Sequence, residues 1–421
     1  MTTPLRYMTP ACLAAGLCIA SLGAQAQNTK APKVQLWMDL STGTMAGMPE
    51  MDSLPGGGGM LGGLMGGMGG GAAPGMGGGS NTSYGNARAM SIMPPRVIDI
   101  ALHNSLRPGV EASQSIPPGM RMGESLPLIP PRAQPTQTEP GEVPREYQQQ
   151  QPKGRILLYW GCGDTIRAGQ PRVLDYSTAG AEQYAKFMTG RGARQRGASA
   201  TPGNATWPNT VHRQSVPKNA SLVGKHAVVG EGLPGSLRFE ISAAQDIMPP
   251  LALAASGGGS NATTVRWNAI GNARAYFLNA MGGSGQDMVV WSSSEVPEPG
   301  WGLMDYVGNT HLDRWLAEKV LLGASQTQCA IPAGIFAKAD GAMVQGIAYG
   351  QDLHLVHPSR PTDRRVAWEP EWTAQIRVKS QSMLPLDQGG EATKMEPQKP
   401  MMPAIPGLPN IGGALKGLFG R

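Results

Sequence analysis

Every second residue is apolar in several short segments of this chain. Residues 34–40 place valine, leucine, methionine and leucine at alternate positions, and residues 236–242 alternate in the same way. A period of two is typical of a β-strand that buries one face. We therefore predict a strand at each of these segments.

Other apolar or alternating segments lie between glycine, proline and asparagine residues, which favour turns. They predict further strands at residues 96–103, 156–160, 171–175, 264–268, 275–280, 288–292, 328–332, 342–349, 353–357 and 372–378. Residues 181–188 and 310–320 follow a helical period instead, with Thr310 as the expected cap of the second helix. The predicted fold class is mainly β, with two β-sandwich-like units and one or two short helices.

Glycine (59 residues) and proline (37) are concentrated in a few segments that divide the chain. We predict a β-rich unit over residues 33–249 and an immunoglobulin- or fibronectin-like β-sandwich over residues 250–383, with the boundary at Pro249 and Pro250. A Gly/Met-rich insertion at about residues 44–80 and a Pro/Gln-rich loop at about residues 133–153 interrupt the first unit. The tail, residues 388–421, is rich in proline, methionine and glycine and is expected to be flexible.

The first 26 residues have the three parts of a secretory signal peptide. Arg6 supplies a positive charge, residues 11–20 are apolar, and residues 24–26 (AQA) match a small-x-small cleavage site. The apolar run is too short to span a bilayer, and no later run is long enough. We predict export to the periplasm or the cell surface, with no transmembrane span in the mature chain.

Cleavage after residue 26 removes two of the four cysteines and leaves Cys162 and Cys329. An even pair of cysteines in an oxidising compartment can form one disulfide. Two buried thiols are the alternative, because the sequence does not show whether the two Cα atoms come close enough to be bridged.

The formal net charge of +6 is spread along the chain rather than gathered in one block. Only residues 191–197 form a dense basic stretch, and no aromatic residue is interleaved with it. Single-stranded nucleic acid binding usually combines positive charge with aromatic stacking. We therefore expect no nucleic-acid partner.

Four segments have distinctive sequences: residues 116–120 (IPPGM), 125–128 (SLPL), 158–163 (LYWGCG) and 327–333 (TQCAIPA). Together they resemble a group of exported proteobacterial proteins of unknown function, which implies export and no particular activity. In the second unit, the Trp267-Asn268 turn and the following Ala275-Tyr276 strand resemble the first half of a fibronectin type III-like sandwich.

Methionines are the most distinctive candidate ligands. The closely spaced ones are Met45, Met48, Met51, Met60, Met65 and Met68. Thioethers are soft ligands that bind Cu(I) without losing a proton, so the cluster is a candidate copper site. The sites lack the His or Cys that often completes them, and methionine also forms adaptable contact surfaces, so a solvated spacer is the preferred interpretation and the copper site is the alternative.

Motifs for other chemistry are weaker. His354 and His357 are three residues apart on a predicted strand, where they point to opposite faces and do not chelate one metal. Glu298, Asp305 and Asp313 lie in a segment rich in aromatic residues, which is compatible with a carbohydrate or peptide groove of a hydrolase. More often, such aromatic residues fill the core of a small sandwich.

No nucleophile elbow or phosphate-binding loop was found, so no catalytic residue or organic cofactor is assigned. The leading interpretation is an exported cell-envelope protein that binds a partner or a surface polymer without catalysis. The alternatives are a periplasmic Cu(I)-binding protein and a carboxylate-dependent hydrolase.

Overall fold

The computed structural model describes residues 30–46, 84–88, 95–131, 154–192, 197–259, 261–363 and 365–386. Strands dominate this part of the chain, so the fold is mainly β, as the alternating pattern predicts. The predicted signal peptide, the Pro/Gln-rich loop, the tail and all but the first residues of the Gly/Met-rich insertion lie outside the described residues.

The strands in chain order are β1 (Val34–Met45), β2 (Arg96–Asn104), β3 (Ala112–Ser115), β4 (Ser125–Leu128), β5 (Arg155–Trp160), β6 (Arg172–Asp175), β7 (Asn204–Trp207), β8 (Gly224–Gly230), β9 (Arg238–Ile241), β10 (Leu253–Gly257), β11 (Thr263–Trp267), β12 (Ala275–Ser284), β13 (Asp287–Ser292), β14 (Leu322–Gly323), β15 (Gln328–Ile331), β16 (Gly341–Tyr349), β17 (Leu353–His357) and β18 (Trp372–Leu386). The helices are α1 (Ala181–Met188) and α2 (Asn309–Ala317). Both helices fall where the helical period predicts them.

The largest sheet has eleven strands in the order β6-β5-β13-β12-β16-β18-β1-β2-β7, with β14 beside β12 and β17 beside β18. Its strands are antiparallel neighbours except for the parallel pairs β1 with β18 and β5 with β13. Two smaller antiparallel sheets have the orders β10-β11-β15 and β4-β3-β8-β9.

The large sheet contains strands from both sides of the predicted boundary at residue 250. β1, β2, β5, β6 and β7 precede that boundary, whereas β12, β13, β16 and β18 follow it. The predicted units 33–249 and 250–383 therefore share a sheet, and the boundary does not separate one sheet from another. The Pro249-Pro250 pair ends local structure, but it carries no information about which distant strands pair.

One face of the large sheet packs against the two smaller sheets. In β1, β2 and β18 this face carries Leu36, Met38, Ile100 and Ile376, which are all almost fully buried. The smaller sheets contribute apolar residues such as Val265 to the same core. Full burial of each such side chain stabilises the fold by about 1.5–3 kcal/mol, so this layer is the main apolar core.

Helix α2 covers part of the opposite face. Its side chains Leu312 and Trp315 are buried against Phe277 of β12 and Ile347 of β16. The predicted cap, Thr310, is wrong: Gly308 occupies the N-cap position, and no side chain caps the helix. Glycine is an acceptable N-cap residue, and the buried face rather than the cap fixes this helix.

Candidate functional site

The centre of the large sheet carries charged side chains on the face opposite the apolar core. Asp39 of β1 stands in register between Asp99 of β2 and Arg377 of β18. Cross-strand neighbours in a sheet point to the same face, and Lys379 follows two residues after Arg377, also on that face. All four residues are 1% exposed or less. These residues form what we call the ionic cluster.

Asp39 and Arg377 form a bidentate ion pair. Nε of Arg377 donates to Oδ1 of Asp39 at 2.7 Å, and Nη2 donates to Oδ2 at 2.6 Å. The backbone N–H of Ala198 donates to the same Oδ2 at 3.0 Å. A Cβ atom at Gly197 would lie 1.7 Å from Nη2 of Arg377, so a glycine is required for this close approach.

Tyr306 covers both cations of the cluster. Its ring centroid is 4.4 Å from Cζ of Arg377 and 4.6 Å from Nζ of Lys379. Both distances fit cation–π contacts, which are strongest when the cation is shielded from water. The Tyr306 hydroxyl donates to the carbonyl oxygen of Ala87 at 3.2 Å.

The Lys379 ammonium group has no contact with solvent. It donates to Oδ1 of Asp305 at 3.3 Å and to the carbonyl oxygen of Arg88 at 3.4 Å. Burial disfavours the charged form and lowers the pKa of Lys379 to about 8, although Asp305 opposes that shift.

Asp99, like Lys379, has a pKa that burial shifts away from its ordinary value. Burial raises the pKa of Asp99 to about 7, although hydrogen bonds from the backbone N–H groups of Ala87 and Gly85 act in the opposite direction. The Ala87 N–H lies 2.9 Å from Oδ2, whereas Oδ1 has no partner among the described residues. The Tyr84 hydroxyl is also buried without a partner in this part of the chain, and burial raises its pKa.

The ionic cluster therefore holds protein segments against the sheet. Its side chains bind the main chain at residues 85–88, the main chain at Ala198 and the side chain of Asp305. Because buried charges must be paired to persist, these contacts keep the cluster in place, and the cluster keeps the covering segments in place.

A disulfide joins Cys162, directly after β5, to Cys329 in β15, with 5.2 Å between the two Cα atoms. It connects the large sheet to the three-stranded sheet. An open depression of about 350 Å³ lies beside it and is lined by Asp164, Thr264, Arg266 and Gln328, among others.

Of the predicted copper ligands, only Met45 lies in the described part of the chain. It ends β1, where its Cα is opposite that of Met383 in β18. Met48, Met51, Met60, Met65 and Met68 lie outside the described residues. Within the described residues, no group of three or more His, Cys, Asp or Glu side chains is arranged to hold a metal ion.

The structure places the three candidate carboxylates in separate ion pairs. Glu298 is buried and accepts hydrogen bonds from the backbone and guanidinium of Arg191. Asp305 pairs with Lys379, and Asp313 pairs with Arg274. The three acids thus have different partners, which does not favour a shared catalytic role.

The aromatic residues near these acids are mostly core residues. Trp291, Trp315 and Tyr306 are buried, whereas Trp301 is partly exposed. The prediction that His354 and His357 lie on a strand is confirmed, since both belong to β17. His357 stacks on the ring of Trp372 with 5.5 Å between the ring centroids.

Sequence reasoning missed the ionic cluster, because the local pattern does not distinguish a buried polar face from a solvated one. In β18, Arg377 and Lys379 alternate with the buried residues Ile376 and Val378. That pattern alone predicts a solvated polar face.

No protein-family model matches the chain, and no curated protein matches it either. Among the described residues, no helix has the length and apolar character needed to cross a membrane.

Proposed function

We propose that the protein is an exported cell-envelope protein that binds a partner through a rigid β scaffold and performs no catalysis. The observation that supports this most directly is the disulfide between Cys162 and Cys329. Structural disulfides persist in oxidising compartments and are rare in the cytosol. The signal-peptide pattern of the first 26 residues supports the same location.

The scaffold is held together by two long-range connections. The disulfide spans 167 residues of sequence. The Asp39–Arg377 ion pair joins strands that are 338 residues apart in the chain. The disulfide joins the large sheet to the three-stranded sheet, and the ion pair joins the two strands nearest the ends of the described chain, which favours a fixed surface over a mobile one.

A candidate binding surface lies at the β6 edge of the large sheet. Val173 of β6 is 47% exposed, and its cross-strand neighbour Leu157 in β5 is half-buried on the same face. Tyr159, two residues further along β5, is also half-buried on that face. Apolar side chains beside an edge strand suit an extended segment of a partner protein, which adds main-chain hydrogen bonds to apolar contacts.

Export is tested by fractionating cells that produce the full chain and sequencing the amino terminus of the mature protein. We expect a processed chain in the envelope fraction, with both remaining cysteines resistant to alkylation until a reductant is added. A control chain without residues 2–26 should stay in the cytoplasm with reduced thiols. Free thiols and an unprocessed terminus in the full-length protein would contradict the proposal.

Partner binding is tested by replacing Val173 with a photo-crosslinking amino acid in the exported protein. Val229 of β8 is the matched control, because it is also an exposed valine on a strand, at 55% exposure, but in a different sheet. We expect a discrete cross-linked envelope protein from position 173 and none from position 229. Equal products from both positions, or no product from either, would argue against a partner at the β6 edge.

A further inference from the structure

Residues 84–88, which we call the strap, lie across the ionic cluster without joining any sheet. We propose that the ionic cluster is a peptide-binding slot and that the strap is its detachable occupant.

Recognition of the strap is directed at its main chain. The Ala87 N–H donates to Asp99, the Ala87 carbonyl accepts from Tyr306, and the Arg88 carbonyl accepts from Lys379. Residues 84–88 form a turn in which the Arg88 N–H donates to the Gly85 carbonyl at 3.3 Å, and the slot binds further main-chain groups of this turn. The slot is therefore complementary to a peptide backbone.

Two side chains of the strap set its register. Ala87 is fully buried, whereas Arg88 is exposed and has its Nε 3.6 Å from Oδ2 of Asp305. The slot therefore favours a small residue followed by a cation. Because Ala87 is fully buried, a larger or charged side chain at position 87 would be forced into a buried position.

The strap contributes little apolar burial compared with the strands beneath it. Ala87 is its only fully buried residue. Tyr84 is largely buried as well, but its hydroxyl has no hydrogen-bond partner among the described residues, and a desolvated polar group without a partner opposes docking. Segments with few buried apolar contacts open at a lower free energy than the core. The strap should therefore detach while the sheet stays folded.

Detachment is also coupled to pH through the groups that face the strap. Asp99 faces Asp39, Lys379, Tyr306 and, from the strap, Tyr84 and the backbone N–H groups. Lys379 faces Asp305, Asp39, Tyr306 and Arg377. Departure of the strap lets water reach Asp99 and Lys379, so their pKa values return towards the ordinary 3.8 and 10.5.

The direction of each effect follows from which state binds more protons. The docked state holds a proton on Asp99 more tightly, so docking weakens as pH rises from 3.8 to about 7. The docked state holds the Lys379 proton less tightly, so docking strengthens again as pH rises from about 8 to 10.5. Docking should therefore be weakest between pH 7 and pH 8.

Hydrogen exchange of the wild-type mature protein tests reversible docking. After correction for intrinsic rates, we expect the Ala87 amide to exchange more than about tenfold faster than the Met38 amide in the centre of the sheet. Its protection should be lowest between pH 7 and pH 8. Equal protection of the two amides, or protection of Ala87 that does not change with pH, would overturn the proposal.

A second experiment tests whether the slot accepts a peptide from outside. The Ala87→Asp variant should expel its own strap and then bind a labelled synthetic peptide of residues 82–90 at least about tenfold more tightly than wild type does, because the wild-type slot is filled. Asn86→Asp is the control variant, with the same added charge at a half-buried position, and should bind the peptide as wild type does.

The control peptide carries aspartate in place of Ala87. Equal affinity for both peptides, or no binding to a folded Ala87→Asp variant with an intact disulfide, would contradict the slot. If that variant does not fold, the exchange measurement on the wild-type protein still decides between a detachable strap and a fixed one.

Discussion

Arg377 donates two short hydrogen bonds to Asp39 across the parallel strands β18 and β1, and both side chains are 1% exposed. The pair lies in the middle of the large sheet, between the apolar core on one face and Tyr306 on the other. If one partner is removed, the other charge stays buried without a counter-ion. The main effect of the pair on stability is therefore the cost of that unpaired charge.

Removing one member of this pair should be strongly destabilising. Asp39→Asn leaves the Arg377 charge buried, and we expect the free energy of unfolding to fall by about 3–5 kcal/mol. The matched control is Asp313→Asn, which breaks a pair whose acid is 64% exposed and should cost less than about 1 kcal/mol. Guanidinium titrations of the two variants measure both values, and equal losses would contradict a special role for the buried pair.

The disulfide should contribute measurably to stability. Reduction of the mature protein is expected to lower the free energy of unfolding by about 2–5 kcal/mol, because the bond constrains a long loop of the unfolded chain. Thermal melts with and without a reductant provide the measurement. The Cys162→Ser/Cys329→Ser double variant is the control and should not respond to the reductant. An unchanged Tm after complete reduction, verified by mass, would refute the expectation.

Asp99 should make the protein less stable as pH rises. Its folded pKa of about 7 lies above the ordinary 3.8, so the folded state binds more protons between these values. The contribution of Asp99 to the free energy of unfolding is fully present below about pH 3.8 and is lost as pH rises through about 7. Asp99→Asn cannot ionise and should be more stable than wild type at pH 8, with a smaller difference at pH 5. Denaturation curves that keep the same difference at both pH values would show that Asp99 is not the titrating group.

The two contacts of Tyr306 can be separated by substitution. Tyr306→Phe removes the hydrogen bond to Ala87 but keeps the ring over Arg377 and Lys379, and should cost about 0.5–1.5 kcal/mol. Tyr306→Leu also removes the cation–π contacts and should cost more. Unfolding titrations give the totals, and hydrogen exchange at Ala87 should change in both variants. A Tyr306→Phe variant that leaves the Ala87 amide unaffected would show that the hydroxyl does not hold the strap.

Local patterns predicted most strand positions because alternation is a property of a few consecutive residues. β1, β5 with its partner β6, β12 and helix α1 lie where the pattern places them. β7 and β8 were missed because their segments, Asn204–Trp207 and Gly224–Gly230, are short or contain glycine, lysine and histidine among the apolar residues. The pairing of β1 with β18 depends on residues more than three hundred positions apart, and no local pattern encodes it.

The ionic cluster was missed for a different reason. Alternation distinguishes the apolar face of β18 from its polar face, but it does not show whether a second layer covers the polar face. Arg377 and Lys379 were therefore compatible with a solvated surface. Only the three-dimensional positions of Tyr306 and residues 84–88 show that these cations are buried.

The parallel pairing of β1 with β18 also constrains the order of events during synthesis. β1 emerges early, but the strand that completes one of its edges is the last strand of the described chain. Until residue 383 has been made, part of this edge of β1 has unsatisfied hydrogen-bonding groups, and closing so long a loop is slow. A growing chain with this topology cannot complete its central sheet early. The sheet therefore stays incomplete for longer than in a chain whose neighbouring strands are consecutive in sequence.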